Sequence, residues 1–222
     1  MRLWQIPYST NVERVALALA HKGLDAEPVP VDPADRSEVR ALTGQELVPV
    51  LEHDGEVLWD SPRILAHLEE RFPERPLLPA DPARREEVLV FCDWFNRVWK
   101  VAPNALVDGF EPAYAAELRG SLERFEALLD GRDFLMGDVL TLADVTAFPF
   151  LKYALGHDSE DRDPFHHVLS EHISLDPMHI RLRTWIDRID AHPRAGVGET
   201  SANRVRMEVG RLSPSDAASP TA

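Results

Sequence analysis

Apolar positions along this chain fall into two regimes. As far as residue 71, short apolar runs alternate with stretches of helical spacing, and beyond residue 82 only helical spacing remains. Residues 3–6 read as a strand broken by Pro7. Val12, Val15, Ala16, Leu19 and Ala20 then share one face of a helix over 11–22, with Thr10 as N-cap, Glu13 completing a capping box and Gly23 as the stop. Residues 26–31 predict a strand, and Pro28 and Pro30, which cannot donate to a ladder, put it at a sheet edge. Residues 35–42 predict a short helix ahead of Thr43-Gly44. The runs 50–52 and 56–58 flank His53-Asp54-Gly55, and Asp54-Gly55 is a tight-turn signal, so they predict a hairpin. Pro49 stands at its mouth, a setting for a cis bond. Ser61 as N-cap and Pro62 at the first helical position predict a helix ending near Arg71. The order so far is βαβαββα.

Four prolines in residues 72–82 mark a linker. The pattern therefore predicts a first domain over 1–72, a linker over 73–82 and an all-α domain over 83–196, with a polar, partly disordered tail over 197–222. In the second domain one helix is expected from Asp81-Pro82 to about residue 102, with Val88, Phe91, Cys92, Phe95, Val98 and Trp99 at core spacing. A second, over 113–129, carries Leu118, Leu122, Phe125 and Leu129. Thr141-Leu142-Ala143-Asp144 has the form of a capping box and opens a helix to about residue 155, stapled by Leu140 and Val145. A last helix over 180–191 is built on Leu182, Trp185, Ile186 and Ile189. Residues 156–179 are polar and rich in Asp, Glu and His, which predicts a solvated, mobile loop. The spacing of His157, His166, His167, His172 and His179 fits no standard zinc pattern, so no metal site is expected there.

Composition narrows the function classes. The net charge is −14, from 38 acids against 24 bases, which argues against nucleic acid as the main partner while leaving room for a local basic pocket. No apolar run reaches the ~18 residues of a membrane span, and the N-terminus is too short and mixed for a signal peptide. Cys92 is the single cysteine, so there is neither an internal disulfide nor a CxxC pair. These features predict a cytoplasmic protein. Cys92 itself sits at an apolar helix position and reads as inert core.

The motifs in their order resemble the soluble glutathione transferases. Val48-Pro49-Val50-Leu51, Asp54-Gly55, Asp60-Ser61, Ile64-Leu65 and Leu68-Glu69 are similar to that family's glutathione-binding segment. Phe134-Leu135-Met136-Gly137-Asp138 with Thr141-Leu142-Ala143-Asp144 resembles its helical-domain capping segment, and the likeness covers about residues 1–195. The implied fold is α+β: a thioredoxin-like N-terminal domain (βαβαββα) followed by an all-helical domain. The implied function is a detoxifying transferase that activates glutathione, or another small thiol, for addition to a small electrophilic molecule. The alternatives are a glutathione-dependent cis–trans isomerase and, in a different class, a non-catalytic dimerisation or binding module. Family members are commonly homodimers through the first domain's last helix and the second domain's first.

A thiol reacts as thiolate, yet a free thiol ionises only near about pH 8.5. A helix N-terminus and a hydrogen-bond donor at the sulfur lower that value. The loop Pro7-Tyr8-Ser9-Thr10-Asn11 supplies three hydroxyls where a strand meets a helix. The resemblance implies Ser9 as the donor, with Tyr8 next and Thr10 and Asn11 within reach; read bare, Ser9 or Thr10 is a helix cap. It implies that Val48 offers backbone groups beside a cis Pro49, that Ser61 and its helix start bind the γ-glutamyl carboxylate, and that Asp60 takes the γ-glutamyl ammonium. One position departs: Leu47 stands where the family often has a polar contact to the glycine carboxylate. Gln45 partly substitutes, Glu46 repels, and another thiol becomes an option. Tyr8, Asn11, Trp94, Phe95, Trp99 and Phe110 are candidates for the second-substrate pocket, the aromatic ones equally at home in helix core.

Overall fold

The computed structural model describes residues 1–197; the predicted disordered tail lies outside the described residues. The first domain is a four-stranded sheet in the order β2-β1-β3-β4, built from β1 (Arg2–Gln5), β2 (Glu27–Pro30), β3 (Val50–His53) and β4 (Glu56–Trp59). β1 and β2 are parallel and the other pairs antiparallel, which leaves the proline-bearing β2 on the expected edge. The β3–β4 hairpin turns through Asp54 and Gly55 at φ of 50° and 81°, the left-handed pair that a two-residue turn requires. Three helices complete the domain: α1 (Thr10–Lys22), α2 (Ser37–Thr43) and α3 (Ser61–Arg71). The βαβαββα order is therefore present.

Two helix starts differ from expectation by one residue. Ser9, not Thr10, caps α1, because its Oγ accepts from the Val12 N–H at 3.3 Å. Glu13 does not reach back to form a capping box; tertiary charge draws it to Lys152 and Arg194. At α3 the cap position is Asp60, at φ 72°, with no side-chain cap bond, so Ser61 and Pro62 are the first two helical residues.

The second domain is helical throughout: α4 (Pro82–Trp94), α5 (Val101–Asp108), α6 (Pro112–Leu128), α7 (Leu142–Leu151), α8 (Pro164–His172) and α9 (Ile180–Asp190). The long helix expected over 81–102 passes through a π turn, Phe95–Trp99, and continues as α5. A π turn carries one more residue than an α turn, so it rotates every later side chain relative to the spacing read from sequence. The stretch 156–179 is not simply a solvated loop. It contains α8, capped by Asp163, with His166 and His172 buried. The apolar character of Phe165, Val168 and Leu169 outweighs the acid run before them, and Leu169 is fully buried. Among the described residues no helix is long and apolar enough to cross a membrane.

α7 is buried along its whole length and packs on both α1 and α4. Its capping box forms as predicted: Thr141 Oγ1 accepts from Ala143 N, and Asp144 accepts from the Thr141 N–H at 2.9 Å. The domains are tied by buried charge. Lys22 on α1 pairs with Glu69 on α3, and Glu69 in turn accepts from the N–H groups of Leu77 and Leu78 in the linker. Glu13 on α1 lies between Lys152 and Arg194 of the helical domain.

Burial raises the Glu13 carboxyl, but the charges and hydrogen bonds of Lys152 and Arg194 outweigh it and hold the group below its ordinary 4.5. A carboxyl depressed in the folded state stabilises above its unfolded value and loses that contribution as pH falls through the folded one. Glu13→Gln is therefore expected to lower stability at pH 7 by about 2 kcal/mol, because two charge-assisted bonds weaken. In an acid titration followed by far-ultraviolet circular dichroism, the variant loses less additional stability than the parent below pH 4.5.

Candidate active site

The site begins at the β1–α1 loop. Tyr8, at φ 63°, turns the chain so that Ser9 arrives at the N-terminus of α1. Because the Ser9 oxygen accepts from Val12 N–H, its own proton is left to donate outward. Ser9, Thr10 and Asn11 form one wall of a cavity of about 480 Å3. Leu47, Val48 and Arg36 continue that wall, while Lys100, Asn104, Phe150 and His166 face it from the helical domain. The reactive end of the loop thus lies between the two domains.

The Val48–Pro49 peptide is cis, and Val48 lines the cavity. The β3 ladder begins only at Val50, so the backbone groups of Val48 lie outside the strand pairing. Gln45 does not reach into this space. Its amide clamps the loop, donating to Thr43 Oγ1 and Leu47 O, each at 3.0 Å, and accepting from Leu47 N–H. Leu47 itself is 70% exposed. Arg36 stands nearby instead, its Nη1 donating to Glu46 O at 3.3 Å while its side chain lines the cavity. The sequence reading missed Arg36, because nothing in local spacing links the turn before α2 to the chain ten residues on.

Ser61 is almost fully buried, and its hydroxyl works internally: it donates to Asn11 Oδ1 and accepts from Arg14 Nη1, each at 3.3 Å. Asp60 stays exposed beside it. Arg14 is the hub of this region. It is 1% exposed and also binds Asn96 Oδ1 at 2.9 Å and Thr146 O at 2.9 Å, which joins the two domains behind the site. Its Nη2 has no partner among the described residues. Burial disfavours the Arg14 charge, and the nearby Cys92 and Asp60 partly restore it.

The aromatic residues proposed for the second pocket go elsewhere. Trp99 is 4% exposed, stacks on the fully buried Phe95 at 4.4 Å and donates its indole N–H to Ser121 at 3.1 Å. Trp94 packs against Phe91 and Phe125 and borders a separate groove with Met136. Phe110 lies exposed beyond α5. Tyr8 is half-buried behind Ser9 and does not line the cavity. The π turn explains the exchange: it sends Trp99 into the core and brings Lys100 and Asn104 of the following turn to the cavity. The aromatic rings actually present in the wall are Phe150 and Phe165, edge to face at 6.0 Å.

Lys100 places its ammonium 4.8 Å from the Phe150 ring. Burial, helped by the Arg14 charge and opposed by Asp60, pushes it down to about 8. The cavity therefore carries local positive charge within a chain of net charge −14. Cys92 takes no part. Its thiol accepts from Thr146 Oγ1 at 3.5 Å, and burial pushes its ionisation up, so it behaves as core.

Two family models match this chain: the N-terminal domain of glutathione S-transferase over residues 3–76 and the C-terminal domain of glutathione S-transferase over residues 90–188. Among curated proteins, the maleylacetoacetate isomerase of Pseudomonas aeruginosa is 44% identical over 105 residues, which are 42% of this chain and 50% of that protein. The chain thus spans half the length of this relative. The maleylpyruvate isomerase of a Ralstonia species is 28% identical over 179 residues, covering 69% of this chain and 82% of that one. Among solved structures, a glutathione S-transferase from Rhodospirillum rubrum superposes with a TM-score of 0.66 at 28% identity, covering 96% of this chain and 94% of the other.

Proposed function

Because the chain belongs to the glutathione S-transferase family, we propose that it binds glutathione against the first domain and activates its thiol for addition to a small electrophilic molecule held by the second. The observation that carries this reading is the meeting of Ser9, at a helix N-terminus, with Val48, beside a cis proline, in one inter-domain cavity. The donor set suits an anionic tripeptide from end to end. Val48 has backbone groups for an extended ligand. Asp60, exposed at the start of α3, suits an ammonium, and the N–H groups of that helix start with Arg14 beneath them suit a carboxylate. Arg36 fills the gap noted at Leu47: it is the cation for the glycine carboxylate.

Glutathione supplies the nucleophilic sulfur when bound. Ser9 donates its O–H to that sulfur, and the N-terminus of α1 adds positive potential at the same point. Phe150 and Phe165 offer an apolar wall to the second molecule, and Lys100 places a cation beside it. The likeness to two bacterial isomerases supports a second reading, in which the same thiolate adds to a conjugated double bond, the bond rotates and the thiol leaves. The protein acts in the cytoplasm as a homodimer in this reading; the exposed Leu89 and Val90 on α4 support an apolar partner face.

Calorimetric titration with glutathione, followed by conjugation of an aromatic halide, tests the proposal. Micromolar to millimolar binding with turnover supports it, and an absence of binding at millimolar glutathione overturns it. Arg36→Ala is expected to weaken glutathione binding about tenfold, the ~1.4 kcal/mol of one partly exposed charged contact, with kcat little changed.

A further inference from the structure

The histidine-rich segment contains a device that the proposed function does not use. The side chain of Asp161 is 1% exposed. Its Oδ2 accepts from His166 Nδ1 at 2.8 Å and from the Tyr153 hydroxyl at 3.1 Å, and its Oδ1 accepts from Asp163 N–H at 3.1 Å. The imidazole of His166 stacks on the Tyr153 ring, with centroids 4.5 Å apart and planes 18° apart. Burial, with the charge of Asp161 next to it, pushes the Tyr153 phenol well above its usual range, so it remains a neutral donor. His166 is therefore fixed in place by a ring on its face and a carboxylate at one nitrogen.

The other nitrogen is what matters. With Nδ1–H donating to Asp161, Nε2 lies on the far edge of the ring, where it makes no hydrogen bond among the described residues. The residue lines the same cavity as Ser9, together with Lys100, Phe150 and Phe165. A histidine kept only for packing has both nitrogens satisfied or turned to bulk water. A buried histidine oriented by a carboxylate, with its second nitrogen unpaired beside a cavity, is built to transfer a proton.

We infer that His166, held by Asp161, is a catalytic proton donor for a second substrate whose carbon–carbon double bond is conjugated to a carbonyl group. The inference rests on the transferase reading of the cavity. In the step, the sulfur forms a bond to the β carbon and the alkene π pair moves to join the α carbon to the carbonyl carbon. The carbonyl π pair goes to oxygen, which takes the proton from His166 Nε2. The resulting enol becomes the saturated ketone in water, and His166 regains from solvent the proton that the thiol released. Lys100, on the same cavity wall, stabilises the negative charge gathering on oxygen. Displacement of halide from an aromatic ring expels its own anion and needs no such proton, so His166 is idle in that reaction.

The two chemistries separate the role of His166 from that of the thiolate site. With glutathione, addition to 4-phenylbut-3-en-2-one is expected to fall about 10²-fold in His166→Gln, while displacement from 1-chloro-2,4-dinitrobenzene stays within about twofold, since one positioned proton donor is all that is removed. Asp161→Asn, which alters a positioning residue, should lower addition in the same sense but by less. Free imidazole should restore addition in His166→Ala. A readout without glutathione accompanies these: in 15N-histidine-labelled protein, the His166 Nε2 resonance should shift on titration with 4-phenylbut-3-en-2-one. Equal losses in both reactions, or an Nε2 resonance indifferent to the ketone, would overturn the proposal. A parent protein inactive on both electrophiles would overturn the transferase reading instead, and the Nε2 response would still decide whether His166 meets a carbonyl.

Discussion

In Ser9→Ala, the turnover of a glutathione conjugation is expected to fall about 10²–10³-fold, the range seen when a single donor to a developing or resident anion is removed from a closed site. Ser9 sits where α1 begins, and its oxygen already accepts from Val12 N–H. Alanine therefore removes two things at once, the donor to sulfur and the helix cap. The cap accounts for only about 1 kcal/mol of stability, a small change in melting temperature. The donor accounts for the rate. The pH dependence separates the two effects. A hydrogen bond to the thiolate favours the anion, so its removal lets the bound thiol return toward about 8.5. The deficit should be widest below neutrality and narrow as the pH approaches 9, a range in which most thiol is ionised without help, about 8.5 being its free value. Steady-state rates from pH 6 to 9, with the ultraviolet absorbance of the bound thiolate as a second measurement, check this. An unchanged kcat at neutral pH would move the role to another group of the loop, Asn11 first, since it shares the cavity wall.

The largest expected loss of stability belongs to Asp144→Ala. Asp144 is fully buried, and its carboxylate accepts from Leu135 N–H at 2.8 Å, Thr141 N–H at 2.9 Å, Thr141 Oγ1 at 3.0 Å and Trp185 Nε1 at 2.9 Å. It thereby joins the start of α7 to the preceding loop and to α9. Burial pushes the carboxyl up, and these hydrogen bonds oppose that shift. Alanine leaves three of the donors, two backbone N–H groups and an indole, with no acceptor in a water-free site. At about 1–3 kcal/mol for each stranded donor, and allowing for relaxation, the expected loss is about 3–5 kcal/mol. For a chain of this size that is a fall of roughly 10 °C in melting temperature. Asp144→Asn, which keeps the shape and one acceptor oxygen, should fall between the two. Thermal unfolding followed by circular dichroism decides it, and a loss under 1 kcal/mol, small for even one stranded donor, would mean that other groups cap α7.

Much of the first domain was legible because its signals act over a few residues. Asp54-Gly55 specifies a turn that needs two positive φ angles, and the flanking runs then have one way to pair. Pro28 and Pro30 marked an edge because a residue without an N–H cannot sit in the middle of a sheet. Thr141 and Asp144 announced α7 through a reciprocal bond that spans one helical turn. The failures have equally physical causes. Thr10 and Glu13 had the form of a capping box, but a carboxylate near Lys152 and Arg194 gains more from two cations than from one N–H. The segment 156–179 appeared too polar for a helix, yet Asp161 and the histidines satisfy one another inside the protein, as does Asp163 at its cap.

The candidate site divides along the same line. Ser9, Val48, Pro49, Asp60 and Ser61 could be named from the chain because each is marked by its immediate neighbours: a strand–helix junction, a proline before a strand, a helix start. Arg36, Lys100, Phe150 and His166 could not, since they come to the cavity from separate turns and helices. Trp94 and Trp99 were misplaced because helical spacing says that a stripe is buried but not what covers it, and a single π turn then shifts the phase. The sequence alone thus determined the order of elements, the thiol-binding half of the site and the family. Only the tertiary structure decided which charges and rings face the second substrate: local propensity reaches about one helical turn, whereas Arg14 with Asn96, Glu13 with Lys152 and His166 with the Ser9 cavity are joined by packing across the domain interface.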